Sequence, residues 1–447
     1  MSGIQFELKP IHKNEPKYPN INQAILFILP SIIITIVSII LFAQLTVFPE
    51  PQYNIFLVTI LVAIILSLVG MAGMQVLIYR IADDRDYFVD GAAARAIQMG
   101  LIYSFIVSII MAAIVSPYLL SVLHFSGTDI LYFAYLLFFF SSTWIIISAF
   151  WASEQYKQPA VIFTISYLGI FGFTYIAYQI DPVYTIIGYM VGITILFLAS
   201  LFTALKTFPK PKSAYTLSRD FAKLPKLISQ NAAPILFNIF YVLAIFLDKI
   251  IVWVTQGLRS GQGLVVTGPY TTGAFLGLIP MFSVATVAYF TSRTKSLVHD
   301  RYTGTFMEIQ KGIKEYKRIY WISLRAMLLI ALGLTVLIAS LSFYFNTDLQ
   351  VLQILLTISV GSIFFTVIVF NAAVLVIFGH SSISTWSVLI IIISELATIP
   401  YIHTDIWFSS LGFMLGSFIG FVVSFFVTIR MFSFPEYRMF RFLLKSP

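Results

Sequence analysis

The chain has 447 residues, of which 59% are hydrophobic and only 10% charged, with a mean hydropathy of +0.93. So few charged groups cannot cover the surface of a soluble domain of this length, and the excess apolar area needs lipid as its solvent. A transmembrane β-barrel is excluded by pattern: barrels alternate apolar and polar residues over short strands, whereas these apolar runs are long and continuous.

The runs predict an all-α polytopic membrane protein of about twelve spanning helices. In chain order they cover Ile21–Val47, Tyr53–Tyr79, Ile97–Val122, Asp129–Trp151, Ala160–Tyr178, Val183–Leu205, Ala233–Val254, Thr267–Phe290, Tyr320–Phe345, Val351–Ile377, Ile383–Ile402 and Ile406–Ile429. Each holds about 20 residues or more, enough at 1.5 Å per residue to cross a ~30 Å hydrocarbon core. The divisions before Asp181 and after His380 rest on very short connections. Pro30, Pro234 and Pro280 fall within spans, where each removes a backbone donor and permits a bend.

Lys and Arg set the orientation. With the N-terminus cytoplasmic, Lys9, Lys13 and Lys17 lie inside, as do Arg80, Arg85, Arg95 and Lys157. So do the Lys206–Lys226 and Arg293–Arg325 groups and the tail residues Arg430, Arg438, Arg441 and Lys445. Only Arg259 falls outside and only Lys249 within a span, so the positive-inside rule supports both the helix count and cytoplasmic placement of both termini in an inner (cytoplasmic) membrane. The net charge of +8 then needs no nucleic-acid partner, because it lies beside anionic inner-leaflet lipid. No cysteine is present, which excludes disulfides and thiolate metal sites. The first run is too long for a cleaved signal and reads as a retained anchor.

External connections are short. The larger loops lie on the cytoplasmic side, and the one carrying Pro209, Pro211 and Pro225 divides the chain nearly in half. The predicted organisation is a cytoplasmic or interfacial segment 1–20, a six-helix bundle 21–205, a linker 206–232, a second bundle 233–431 with a cytoplasmic loop 291–318, and a tail 432–447. Two bundles around a central cavity are the pattern of a transporter that handles its substrate near the midplane. In loop 291–318, Phe306, Ile309, Ile313 and Tyr316 recur at helical spacing among lysines, which predicts an interfacial helix continuous with the next span.

Ionisable groups inside spans are few and costly, at about 2.5–3.5 kcal/mol each at a helix centre. They are Asp248 and Lys249 in the seventh run and Glu395 in the eleventh. At 100° per residue Asn231, Asn238 and Lys249 share one line on the seventh helix, with Gln230 and Asp248 on another and Tyr241 between. Counting from the cytoplasmic ends places Lys249 roughly 24 Å deep and Glu395 roughly 18 Å deep, a difference that a lysine stem can span. Lys249 and Glu395 are therefore expected to face a shared water-filled cavity and to pair there in one conformational state; a permanent structural pair, or snorkelling of Lys249 to the outer interface, is the alternative. Gln44, Gln75 and Asn371 are further pathway candidates, each also readable as a helix–helix hydrogen bond.

Catalytic constellations are lacking. The five histidines are scattered without metal-ligand spacing, and there is no P-loop, so neither a metal nor a cofactor is expected. External acids Glu50, Asp129, Asp181, Asp348 and Asp405 stand one to a loop. A polytopic glycosyl- or acyltransferase would call for a large extramembrane loop with clustered acids or a histidine in a span.

Several segments resemble PelG, the membrane transporter family of Pel exopolysaccharide systems, within the polysaccharide flippase branch of the multidrug/oligosaccharidyl-lipid/polysaccharide exporter superfamily. They are Met1–Lys9, Arg80-Ile-Ala-Asp83, Phe246-Leu-Asp-Lys-Ile-Ile-Val-Trp253, Pro269-Tyr270 with Ala274–Pro280, Tyr316-Lys-Arg-Ile-Tyr320 and Tyr437-Arg-Met-Phe440. Gln5, Lys9-Pro10 and the acidic segment Asp83–Asp86 depart from the family pattern. The resemblance implies export of a hexosamine-rich exopolysaccharide for biofilm, with a cytoplasmic glycosyltransferase and membrane scaffold subunits as partners. A flippase for lipid-linked oligosaccharide or a small-molecule exporter of the same superfamily is the alternative.

Overall fold

The computed structural model describes residues 50–83, 92–153, 155–208, 224–260, 264–266, 268–284, 306–345, 347–377, 380–402 and 405–433, with scattered positions at 25–33 and 286–294. Most of the first predicted span, the linker between 209 and 223, much of the loop 291–318, and the two chain ends lie outside the described residues. So does Gln44.

The described chain is helical. We number its helices α1 (Glu50–Asp83), α2 (Ala92–Ser121), α3 (Gly127–Ala152), α4 (Lys157–Ile180), α5 (Thr185–Thr207), α6 (Ala232–Ser260), α7 (Pro269–Gly277), α8 (Phe306–Tyr344), α9 (Leu349–Ile377), α10 (Ser381–Ala397) and α11 (Trp407–Ser433). Ten of the described segments are long and apolar enough to cross a membrane. They coincide with ten of the twelve predicted runs, and the first and eighth account for the difference. Both short connections are real: 3-10 turns, Pro182–Tyr184 and Ile399–Tyr401, separate α4 from α5 and α10 from α11. The helix expected from Phe306 onward is continuous with the ninth span, giving α8 its 39 residues.

The eighth run bends at Pro280, and part of it lies outside the described residues. It breaks after α7 into a 3-10 turn, Ile279–Val284. Pro280 offers no N–H to the carbonyl of Leu276, and its ring crowds that carbonyl, so the α-ladder cannot continue. Met281 N–H donates instead to Leu278 O at 2.9 Å, and the Ser362 hydroxyl on α9 donates to Gly277 O at 2.9 Å. Irregular backbone inside a bundle is tolerated where neighbouring side chains satisfy it in this way. Pro234, by contrast, sits in the first turn of α6, where the missing donor would have had no helical acceptor.

Four of the five solitary acids at turns, Asp129, Asp181, Asp348 and Asp405, are helix caps; the Glu50 side chain lies outside the described residues. Ser126 and Asp129 form a reciprocal capping box at the start of α3. Asp181 accepts from Val183 N–H at 2.9 Å, Asp348 from Gln350 N–H at 3.1 Å and Asp405 from Trp407 N–H at 2.9 Å. Each satisfies an orphan donor and sets a negative charge against the positive end of a helix.

The helices form two groups. In the first, α1 packs on α2 and α3, α3 on α5, and α4 on α5; in the second, α11 packs on α9 and α10, α7 on α9, and α6 on α10 and α11. Glycines on α11 bring α10 close. A Cβ at Gly412 would meet Glu395 Cα at 3.0 Å, and one at Gly416 would meet Ile391 Cα at 2.7 Å. Small residues four apart allow this backbone-to-backbone contact in a setting where packing rather than water exclusion drives association. The groups meet along α1 and α6.

Replacing Asp405 or Asp129 with Ala removes one capping acceptor and should lower stability by about 0.5–2 kcal/mol, read as a fall in the unfolding midpoint of the detergent-purified protein. Asn at the same position should recover most of the loss.

Candidate functional site

The three intramembrane charges come together inside the second helix group. Asp248 and Lys249 occupy the middle of α6, and Glu395 lies near the end of α10; all three are 0% exposed. Helix α10 packs against α6, and the Gly412 contact on α11 sets the depth of the Glu395 backbone. Glu395 is within electrostatic reach of both Asp248 and Lys249.

The expected Lys249–Glu395 pair is not the one formed. Lys249 Nζ donates to Asp248 Oδ1 at 2.8 Å and to Ile245 O, one turn back on its own helix, at 2.8 Å. Adjacent helical residues point about 100° apart, so this contact requires the lysine stem to fold back along α6, as its lean toward the helix N-terminus favours. The other Asp248 oxygen accepts from the Tyr270 hydroxyl on α7 at 2.8 Å, and Asp248 O accepts from Ser409 on α11 at 3.1 Å. The ammonium also lies 5.9 Å from the centre of the Phe413 ring. Both carboxylate oxygens of Asp248 are thus satisfied, whereas neither oxygen of Glu395 has a hydrogen-bond partner among the described residues. With no exposed surface on any of the three, the cluster is closed to solvent in this conformation rather than open to a cavity. Snorkelling of Lys249 to the outer interface is excluded by its buried ion pair.

The uncharged candidates separate into two sets. Asn371 lies within the second group, accepting from the Tyr320 hydroxyl at 2.8 Å and donating to Ser424 at 3.2 Å. It joins α8, α9 and α11, as a helix–helix hydrogen bond does. Tyr241 is half-buried and stacks on Phe365 of α9 with ring centres 5.3 Å apart. Gln75 and Asn238 meet each other across the two groups. The Asn238 amide donates to Ala72 O at 3.0 Å and to Gln75 Oε1 at 3.3 Å, and both side chains are half-buried. Tyr270, Ser409 and Phe413 were not singled out from composition or helical spacing. Tyr270 could have been flagged only as a polar residue beside Pro269, at the start of a span.

Among the described residues, no group of three or more His, Asp or Glu side chains is placed to hold a metal ion. The arrangement consists of a sealed charge cluster in one helix group and a half-exposed amide pair between groups, with the broken α7 segment alongside.

This architecture is that of a multi-pass transporter. It is similar to a multidrug resistance MATE family transporter of the MOP superfamily in an outward-facing conformation, at a TM-score of 0.66 and 13% identity over 92% of this chain and 95% of that one. It is also similar to a MOP superfamily transporter from Pyrococcus furiosus, with a TM-score of 0.63 and 14% identity over 92% and 96% of the two chains. A Vibrio cholerae MATE transporter gives a TM-score of 0.63 at 13% identity, covering 94% and 97%. At such identities the likeness shows the fold. The sequence goes further: residues 1–440 match PelG, "Putative exopolysaccharide Exporter (EPS-E)", and the chain belongs to that family. No curated protein matches it.

Breaking the buried pair on one side leaves an unpaired charge, which costs about 3–5 kcal/mol, while replacing both partners with neutral side chains of similar volume is often tolerated. Lys249→Met should therefore sharply lower the unfolding midpoint and membrane abundance. The double variant Asp248→Asn, Lys249→Met should recover both, as measured by thermal unfolding of the purified proteins.

Proposed function

We propose that the protein exports an exopolysaccharide, hexosamine-rich and Pel-like, across the cytoplasmic membrane through a path between its two helix groups. The observation that carries this reading is the family match over residues 1–440. The seam formed by α1 and α6, with polar amides facing it, is consistent with such a path. Both termini lie in the cytoplasm, as the distribution of Lys and Arg requires. The Asp83 end of α1 and the Ala232 end of α6 are then cytoplasmic, and the capped N-termini of α3, α9 and α11 are external.

In this reading Gln75, Asn238 and Tyr241 contact sugar. Amides offer both donors and acceptors to hydroxyl groups, and a half-exposed aromatic ring offers an apolar face. Asp248, Lys249 and Glu395 act behind them as a buried electrostatic element. Partners are a cytoplasmic glycosyltransferase that makes the polymer and membrane scaffold subunits that hold it at the transporter. A second reading, export of small molecules, draws on the likeness to a multidrug transporter; drug sensitivity on deletion, with polymer unchanged, would favour it.

Deletion of the gene should abolish extracellular hexosamine polymer, and expression of the wild-type chain should restore it. Glu395→Gln keeps the shape and neutral volume of an unpartnered side chain. If Glu395 ionises during transport, that variant should reach normal membrane levels yet restore polymer poorly, by roughly tenfold or more, the scale of one hydrogen-bonded charge. Unchanged polymer after deletion would sink the polysaccharide assignment.

A further inference from the structure

The two helix groups are joined by unlike contacts at the two ends of the α1–α6 seam. Toward the Glu50 end of α1 the joint is a broad apolar surface. Trp253, Leu264 and Val266 are buried in the same cluster as Phe56, Leu61, Phe140 and Tyr189 of the first group, with Phe246, Ile250 and Val254 packed against it. The Trp253 indole is held in place by donating to the Thr271 hydroxyl at 2.8 Å.

Toward the Asp83 end the seam is thinner. Ile235 packs over Gly73, 3.4 Å from where a Cβ would stand, and Leu224 and Leu227, ahead of α6, pack on the first group's Met71–Phe208 cluster. Among the described residues, the polar tie there is the Asn238 amide, with its bonds to Ala72 O and Gln75 Oε1. Both carbonyl acceptors belong to α1 and the donor to α6, so the contact crosses from one group to the other. Ala72 O is an i→i+4 acceptor within α1 as well, and a carbonyl has a second lone pair to offer. Neither amide is sealed: both side chains are half-buried, so water can replace each hydrogen bond as it breaks, and opening here leaves no orphaned polar group.

We propose that the Asn238–Gln75–Ala72 contact is the releasable latch of the cytoplasmic side: it holds α6 against α1 in this conformation and lets go when the path opens inward, while the Trp253 seam keeps the external side shut. The side assignment rests on the proposed export orientation; the latch itself rests on the geometry. Opening the apolar seam would expose large side chains, with a cost proportional to the area bared, whereas opening the latch exchanges a few hydrogen bonds for others. The cytoplasmic side is therefore the one that yields first. With the seam closed, Asn238 acts through the placement of α6, and its amide becomes available to sugar only once the latch has parted.

The chain contains no cysteine, so single-cysteine accessibility can be read without background. Ile235→Cys reports on the latch end of the seam and Val254→Cys on the apolar end, each labelled with a membrane-permeant maleimide in native membranes. Asn238→Asp keeps the shape and removes both donated bonds, Asn238→Ala removes the side chain, and Gln75→Ala removes one of the two acceptors. Labelling at Ile235→Cys should be roughly three- to tenfold faster in the two Asn238 variants, as expected for the loss of one or two hydrogen bonds that favour the closed form. It should be faster by a smaller factor in Gln75→Ala. Labelling at Val254→Cys should be unchanged or slower throughout. Unaltered rates at Ile235→Cys would overturn the latch, and equal acceleration at both positions would overturn it too, by showing general loosening. The labelling needs no polymer, so failure of the latch leaves the export assignment intact, and failure of the polymer assay leaves the labelling result standing.

Discussion

A polar group inside a hydrocarbon layer has no water to fall back on, and much of the structure depends on supplying its partner from within the protein. Serines and threonines show it at small scale. Thr59, Ser116, Thr174, Ser200 and Thr428 all donate to the carbonyl four residues back, which lets an apolar helix carry a hydroxyl without leaving it unpaired. The break after Gly277 shows it at larger scale. Pro280 frees backbone groups, and Ser362 on a neighbouring helix takes one of them. The same rule places Lys249: an ammonium that cannot reach water settles on the nearest anion and carbonyl, both on its own helix.

Helix number and limits were legible in the sequence because the bilayer imposes a length and an apolar composition that few other constraints imitate. Ten spans appear where the apolar runs predict them. The eighth was legible as apolar and able to bend at Pro280, but hydropathy does not register which neighbours then take up the freed hydrogen bonds. The solitary acids at turns were visible as isolated residues, but the role of three of them emerged from backbone geometry: Asp181, Asp348 and Asp405 each accept from the N–H two residues on.

The charge cluster was half legible. Which charged residues would be buried could be read from cost, because Asp248, Lys249 and Glu395 stand out in apolar runs. Their pairing could not. A helical wheel separates Asp248 from Lys249 by 100° and treats each side chain as a spoke, whereas a lysine stem is long enough to bend back over its own turn. Helix depth suggested Glu395 as the partner, but Tyr270 and Ser409 converge on Asp248 from α7 and α11. Ser409 holds the Asp248 main chain, while the Tyr270 hydroxyl bonds its carboxylate and makes it the better-prepared anion site, and the ammonium follows. Asn238 and Gln75 were each singled out alone. Their meeting across the seam depends on the mutual placement of two helix groups more than 160 residues apart in sequence, which no local pattern encodes.

Sealed and half-exposed polar contacts do different things in such a molecule. The Asp248–Lys249–Tyr270 set is fully buried, so any rearrangement must carry all of its partners along or leave a charge stranded, at several kcal/mol. It ties α6, α7 and α11 into one body that moves as a unit. The Asn238 amide can trade its partners for water, so it suits a joint that must part repeatedly. Helix α6 carries both on nearby turns: the charge cluster fixes it within the second group, and the amide lends it to the first. In the proposed scheme, motion between the two groups concentrates at the α1–α6 seam rather than inside either group. Glu395 stands apart from this division, since it is sealed yet without a hydrogen-bond partner among the described residues. It is the place in the second group where a change of protonation or of Lys249's partner would alter the packing of α10 against α6 without first breaking an existing bond of its own.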